Sequence, residues 1–168
     1  MMAYLLDANT FIQAKNLHYG FDVCPAFWDW IIRDHGAGKV FSIEMVGDEL
    51  TAGNDDLATW ATARGTTFFI PPDAPVAPAL GTVSAWAVSQ PQYDPAAVST
   101  FLQKADHMLV AHALAHSHTV VTHEKPENSR RIIKIPNACV SLGVKYMTPY
   151  QMLRHERARF ILGAATHG

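Results

Sequence analysis

Cysteine is scarce. Only Cys24 and Cys139 occur among 168 residues, with no CxxC pairing and no recurrent spacing. That removes a disulfide framework and leaves two thiols suited to a reducing compartment. Long apolar runs are missing too, and none approaches the ~18 residues that a membrane-spanning helix needs. Asp7 interrupts the first apolar stretch too early for a secretory signal, and no basic residue precedes it. Neither GxGxxG nor GxxxxGK(S/T) occurs, which disfavours a nucleotide-binding Rossmann domain, and HExxH is absent. A soluble, cytoplasmic protein without a membrane partner is the expectation.

Basic residues are few in the first part of the chain. Residues 1–103 hold four Lys/Arg against eleven Asp/Glu, and residues 104–168 hold nine against four. This asymmetry fits either a polyanionic partner or a merely solvated basic surface. The hydrophobic fraction of 49% and charged fraction of 17% describe one globular domain over 1–168, a length at which a chain buries roughly 70% of its unfolded surface.

Ala3 to Leu6 is a short apolar run that ends at Asp7 and is followed by helix-starting residues. It predicts a buried strand, then a helix over Phe11–Lys15 and a loop over His18–Asp22. A helix over Pro25–His35 follows, with Phe27, Trp28, Ile31 and Ile32 on its apolar face and Gly36 and Gly38 as stops. Lys39–Ile43 reads as a strand and Glu44–Leu50 as a helix. Asn54, Asp55 and Asp56 cap the next helix, and Thr66–Ile70 reads as a third strand. Helices are expected over Val76–Ser89, Pro95–Gln103 and Ala105–His116, then a strand over Thr119–Thr122. Ile132–Ile135 is a strand or extended segment, Pro136–Leu142 a short helix, and Val144–Met147 the last strand. Thr148 and Pro149 cap a C-terminal helix. Alternating short strands and helices predict an α/β fold, a central parallel sheet covered on both faces.

Four acids stand out by placement. Asp7 ends the first strand, Glu49 lies in the helix after the second, Asp106 opens the helix 105–116, and Glu124 follows the fourth strand. Carboxylates from several element ends can converge at the carboxyl edge of one sheet, and hard cations such as Mg2+ and Mn2+ take such oxygen ligands. Asp106 heads a helical stripe of Leu109, Val110, Ala113 and Leu114, where an aspartate is costly unless paired, capping or bound to metal. Helix capping is the plain alternative for Asp7 and for Asp106. Glu44 competes with Glu49 on the same helix, while Asp48 reads as a solvated neighbour. Lys125, Arg130, Arg131 and Lys134 follow Glu124 and either hold a phosphate backbone or form an exposed basic loop.

Histidines offer a second metal reading, since His107, His112, His116 and His118 cluster and His112 and His116 share a helical face. Without a Cys partner at ligand spacing, a polar helix flank is preferred to zinc. A haloacid-dehalogenase-type phosphatase would need a second aspartate at position 9, which is Asn. Trp28, Trp30, Trp60 and Trp86 read as core and interface rather than as base-stacking platforms.

Taken in order, Leu5-Leu6-Asp7-Ala8-Asn9, Ser42-Ile43 leading to Glu49-Leu50, Ala105-Asp106-His107-Met108-Leu109-Val110-Ala111-His112-Ala113 and Val120-Val121-Thr122-His123-Glu124 resemble the PIN-domain nucleases. The stretches Ile133–Cys139, Leu142–Val144 and Thr148–Leu153 look like a bacterial PIN-like branch related to VapC-type toxins, so the resemblance spans nearly the whole chain. It implies a PIN-like three-layer α/β/α fold with sheet order 3-2-1-4-5 and an acidic pocket for one or two Mg2+ or Mn2+ ions. The implied activity is metal-dependent ribonuclease hydrolysis of phosphodiester bonds, often as the toxin of a toxin–antitoxin pair, and the implied assembly a homodimer. By motif matching, Asp7, Glu49 and Asp106 are the core acids, with Glu49 preferred to Glu44 because it precedes Leu50. Glu124 stands where the family more often has aspartate, so it binds metal directly or through water. Asn9 or Thr10 would orient a ligand water, and Thr122 would shape the strand end. The competing reading is a catalytically inactive PIN-like module that binds RNA or a protein partner.

Overall fold

Two short apolar segments lie side by side at the centre of the sheet. In the computed structural model, which describes residues 2–163, β1 (Tyr4–Leu6) and β4 (Thr119–Val121) run parallel with Leu5 opposite Val120. All the residues of both strands are buried, as strands covered on two faces must be. β2 (Val40–Ile43) pairs with the other side of β1, β3 (Phe69–Ile70) lies outside β2, and β5 (Tyr146–Met147) lies outside β4. The order is β3-β2-β1-β4-β5, parallel throughout.

The helices among the described residues are α1 (Ala8–Gln13), α2 (Pro25–Gly36), α3 (Glu44–Thr51), α4 (Asp56–Arg64), α5 (Val76–Ser89), α6 (Pro95–Gln103), α7 (Ala105–His116), α8 (Ile135–Leu142) and α9 (Pro149–His155). Together they flank the sheet in the three-layer α/β/α arrangement expected from sequence. α7 packs on β2 and β4 and is itself covered by α5, α6 and α8, while α2 packs against β2. None of the helices is long and apolar enough to cross a membrane. Beneath α1, Phe11 meets Trp60, Phe68 and Phe69 with ring centroids 5.7–6.1 Å apart. That places Trp60 with the core, as its helical position predicts, and Trp28 and Trp30 are buried as well.

Several boundaries differ from expectation for identifiable reasons. α1 starts earlier, at Ala8, and runs into a π-turn over Ala14–His18, closed by the Tyr19 N–H on the Ala14 carbonyl at 2.7 Å. On α2 the buried face holds Trp30 in place of Ile32, which is 37% exposed. Residues 66–68 turn back on the Gly65 carbonyl, so β3 keeps only Phe69 and Ile70. The segment 132–135 makes no strand. Ile135 instead begins α8 with Pro136 in its first turn, where a missing N–H loses nothing. Thr148 caps α9 as expected, through a reciprocal capping box with Gln151.

Gly47 lets α3 approach the sheet. A Cβ there would lie 2.7 Å from Cγ and 2.9 Å from Cβ of Phe69, too near the root of that side chain for the ring to swing away. Alanine in place of a helical glycine gains about 1 kcal/mol of helix propensity, against about 1–3 kcal/mol for overpacking. Gly47→Ala is therefore expected to lower stability by roughly 1 kcal/mol, measured by urea denaturation. An unchanged or raised midpoint would show that α3 and β3 have slack between them.

Candidate active site

The chain leaves β1 for β2 and β3 on one side, then crosses to β4 and β5 on the other. The loops after β1 and β4 therefore part in opposite directions and leave a crevice at the carboxyl edge. Asp7 is the first residue after β1, and Thr122 the first after β4. α7 runs antiparallel to the strand it feeds, so its first turn, with Asp106, is at this edge too. Glu49 arrives from the second turn of α3.

These elements bring the four expected acids together. Asp7, Glu49, Asp106 and Glu124 line one cleft of about 430 Å³, whose wall also includes Asn9, Ile12, Met45 and Lys104. Glu44 and Asp48 line a separate groove with Gly47 and Phe69, so of the two glutamates compared on α3 it is Glu49 that lines the cleft with the other acids. A second cleft of about 480 Å³ shares Asn9 and Glu124 with the first and is lined by Gln13, His123, Lys125, Glu127 and Lys134.

Asp7 occupies the N-cap position of α1, yet its carboxylate makes no capping bond. Its Oδ2 instead accepts the Thr122 hydroxyl at 2.8 Å, and Thr122 Oγ1 in turn accepts the Glu124 N–H at 3.1 Å. Thr122 thus joins the end of β1 to the loop after β4, a firmer role than shaping the strand end. Glu124 Oε2 accepts the Ile135 N–H at 2.7 Å, so it tethers the start of α8. Asn9 Oδ1 accepts the His123 N–H at 3.3 Å. Thr10 does not reach the cleft. It is buried and donates to the Val121 carbonyl at 3.2 Å, which corrects its expected part beside the first acid. Asp106 makes no capping hydrogen bond either, since Lys104 holds the N-cap position of α7.

Burial and mutual repulsion set the electrostatics. Asp7 is only 5% exposed, and burial together with the charges of Asp106 and Glu124 pushes its pKa up to about 7, opposed by the Thr122 hydrogen bond. Burial and the charges of Glu124 and Glu49 push Asp106 up to about 6, while Lys104 holds it down. An all-oxygen donor set in which acids outnumber the one lysine has the chemistry that suits a hard divalent cation. Among the described residues, however, no three His, Cys, Asp or Glu side chains stand as a ready ligand set. The donors fit such an ion by type and charge, with one oxygen of Asp7 and one of Glu124 already engaged in hydrogen bonds.

The basic residues divide. Lys125 and Lys134 line the second cleft, the latter 3.9 Å from Glu127. Arg130 lies 3.8 Å from Asp94 on the exposed side of the loop, and Arg131 is exposed and lines neither cleft. Lys104 also lines the acid cleft, and its place two residues before Asp106 is the only sequence signal of that position. The histidines form a polar flank only in part, with His107 beside the Ser84 hydroxyl and His112 inside. His112 is buried with both ring nitrogens unpartnered, and burial lowers its pKa to about 4, which keeps it neutral. His116 pairs with Asp73 at 2.8 Å, and His118 Nδ1 accepts the Ala3 N–H at 3.0 Å.

An open parallel sheet with an acidic cleft at its switch point defines an α/β domain whose four candidate acids meet at the carboxyl edge. The chain belongs to the DUF4411 family, described as a domain of unknown function, whose model matches residues 4–160. Comparison with curated proteins returns no match, and comparison with solved structures returns none either.

The raised carboxyls make stability depend on pH. A folded-state pKa above the unfolded value means that the folded chain binds more protons, so stability falls as pH rises. For Asp7 and Asp106 that loss runs from about pH 4, the unfolded value, to about pH 7. In metal-free buffer Asp7→Asn is expected to flatten the decline and to exceed wild type by on the order of 2 kcal/mol at about pH 8. Chemical denaturation across this range checks it, and equal stabilities at the alkaline end would mean that Asp7 ionises freely. Thr122→Val removes a bond to the charged form, so the Asp7 carboxyl should titrate at still higher pH by NMR.

Proposed function

We propose that this chain is a PIN-like, metal-dependent ribonuclease that hydrolyses RNA phosphodiester bonds at the acid cleft. One observation carries the reading: four carboxylates from separate parts of the fold line a single cleft, with Asp7 and Asp106 raised by burial and by the acids around them. The ordered resemblance to PIN-domain nucleases supports the same conclusion.

Asp7, Glu49, Asp106 and Glu124 would hold Mg2+ or Mn2+, which would supply an activated water and offset charge on the phosphoryl oxygens. The chain's own groups do the rest. Thr122 keeps the Asp7 carboxylate oriented through its 2.8 Å hydrogen bond. Without an ion, Asp7 keeps its proton up to about pH 7, so binding of the cation would release that proton from the carboxyl. Lys125 and Lys134 line the adjoining cleft, where they can bind flanking phosphates. Lys104 stands beside Asp106 as a countercharge and is also placed to meet a phosphate. A toxin's role with an antitoxin partner, homodimer formation and cytoplasmic residence, with Cys24 and Cys139 as free thiols, belong to this same reading.

A second reading has its own support. Glu124 spends one oxygen on the Ile135 amide, and no ready three-group ligand set exists among the described residues. A chain in that condition would act as a binding module for RNA or a protein, without cutting.

Calorimetric titration of Mn2+ with a parallel single-stranded RNA cleavage assay separates them. Wild type is expected to bind the ion and cut RNA, while Asp7→Asn and Asp106→Asn lose cleavage by more than about a hundredfold and stay folded. Thr122→Val should weaken ion binding by about tenfold, and Glu44→Gln, facing the other groove, should match wild type. Absence of ion binding and of cleavage by wild type would leave the binding module.

A further inference from the structure

The charged groups of the acid cleft lie at two depths. Asp7 is buried and Asp106 and Glu124 are half-buried, whereas Glu49 and Lys104 are exposed and stand at the mouth. Their influence on one another divides the same way. Burial aside, Asp106 and Glu124 are the charges that raise Asp7, while Asp106 answers to Glu124, Lys104 and Glu49.

Lys104 is fixed at its backbone and free at its tip. It closes α6 and precedes α7, with its N–H on the Phe101 carbonyl at 3.2 Å. Among the described residues its ammonium forms no ion pair, although it shares the cleft with four acids. It is a countercharge locked to none of them.

The inner donors are few. The Thr122 hydroxyl takes Asp7 Oδ2, and the Ile135 amide takes Glu124 Oε2. What the three inner acids have left, completed by water, suits one octahedral Mg2+ or Mn2+. A second ion would have to rest at the mouth on Glu49 and on an Asp106 carboxylate already in use. There it would meet the positive charge of Lys104.

We propose that the cleft takes a single hard divalent ion among its inner acids, and that the Lys104 ammonium stands with Glu49 at the mouth in place of a second. This rests on the metal reading given above.

The test titrates Mn2+ into the full chain by calorimetry and records electron paramagnetic resonance on the loaded samples. Two ions in one cleft couple magnetically, and an ion elsewhere on the surface does not. Wild type and Lys104→Arg should take one Mn2+ in the cleft and give the spectrum of an isolated ion. Lys104→Gln, which drops the charge and keeps most of the length, should gain a second ion, bound about tenfold tighter than any further ion in wild type, with a coupled spectrum. Adding Glu49→Gln to Lys104→Gln should abolish the coupling. Both positions are exposed, and circular dichroism checks that each variant is folded. If wild type already holds a coupled pair, or if Lys104→Gln gains no second ion, the inference is overturned and the metal reading stands. A coupled pair in Lys104→Arg, or one that survives Glu49→Gln, overturns it equally. If wild type binds no Mn2+, both are overturned.

Discussion

A carboxylate buried at the end of a central strand must be answered by hydrogen bonds or by opposite charge, and Asp7 is answered only in part. The Thr122 hydroxyl satisfies one oxygen from the neighbouring strand, and no cation among the described side chains faces it closely enough to pair. Burial and two further acids press against its ionised form. The surrounding structure is arranged around this unresolved charge. β1 and β4 are neighbours, so Asp7 and Thr122 emerge together. Ser42 in β2 donates to the Leu6 carbonyl at 2.6 Å and steadies the same strand end from the other side. Core positions conflict with such charge unless function retains it.

The charge asymmetry along the chain becomes a spatial one only in part. The first half supplies Asp7 and Glu49 and the second half Lys104, Lys125 and Lys134, so a cleft with a surplus of acids meets, at Asn9 and Glu124, one in which two lysines face two glutamates. Arg130 and Arg131 stand apart from both. A linear run of basic residues tells which segment is positive, but the loop 124–134 turns some of its side chains inward and others to solvent.

How much was legible from sequence follows from the range of the interaction concerned. Val76–Ser89, Pro95–Gln103 and Ala105–His116 match observed helices residue for residue, because Pro at a first turn and periodic apolar residues are local signals. The sheet order agrees with what the resemblance implied. Asp7, Asp106 and Glu124 could be chosen because each sits at or just past an element's end, where a parallel sheet collects its ligands, and Glu49 because the resemblance favours the acid before Leu50. Contacts across the sheet were not legible. Thr10 and Thr122 look alike in sequence, yet one bonds a buried carbonyl and the other a carboxylate. Ile132–Ile135 has strand composition, but the Glu124 carboxylate takes the amide of Ile135 and starts a helix there. His112 sits on a helix that is buried on nearly every side, so helical periodicity could not show that its ring is inside.

That same bond between Glu124 and Ile135 makes α8 a gauge of the cleft. The first amide of the helix and an occupant of the cleft that binds Glu124 draw on one pair of carboxylate oxygens. A ligand that takes Oε2 releases the Ile135 N–H, which then has no partner within its own helix. Fraying of α8 and occupancy of the cleft are in that case two views of one equilibrium. Hydrogen exchange at this single backbone amide would follow it without a substrate and without a label.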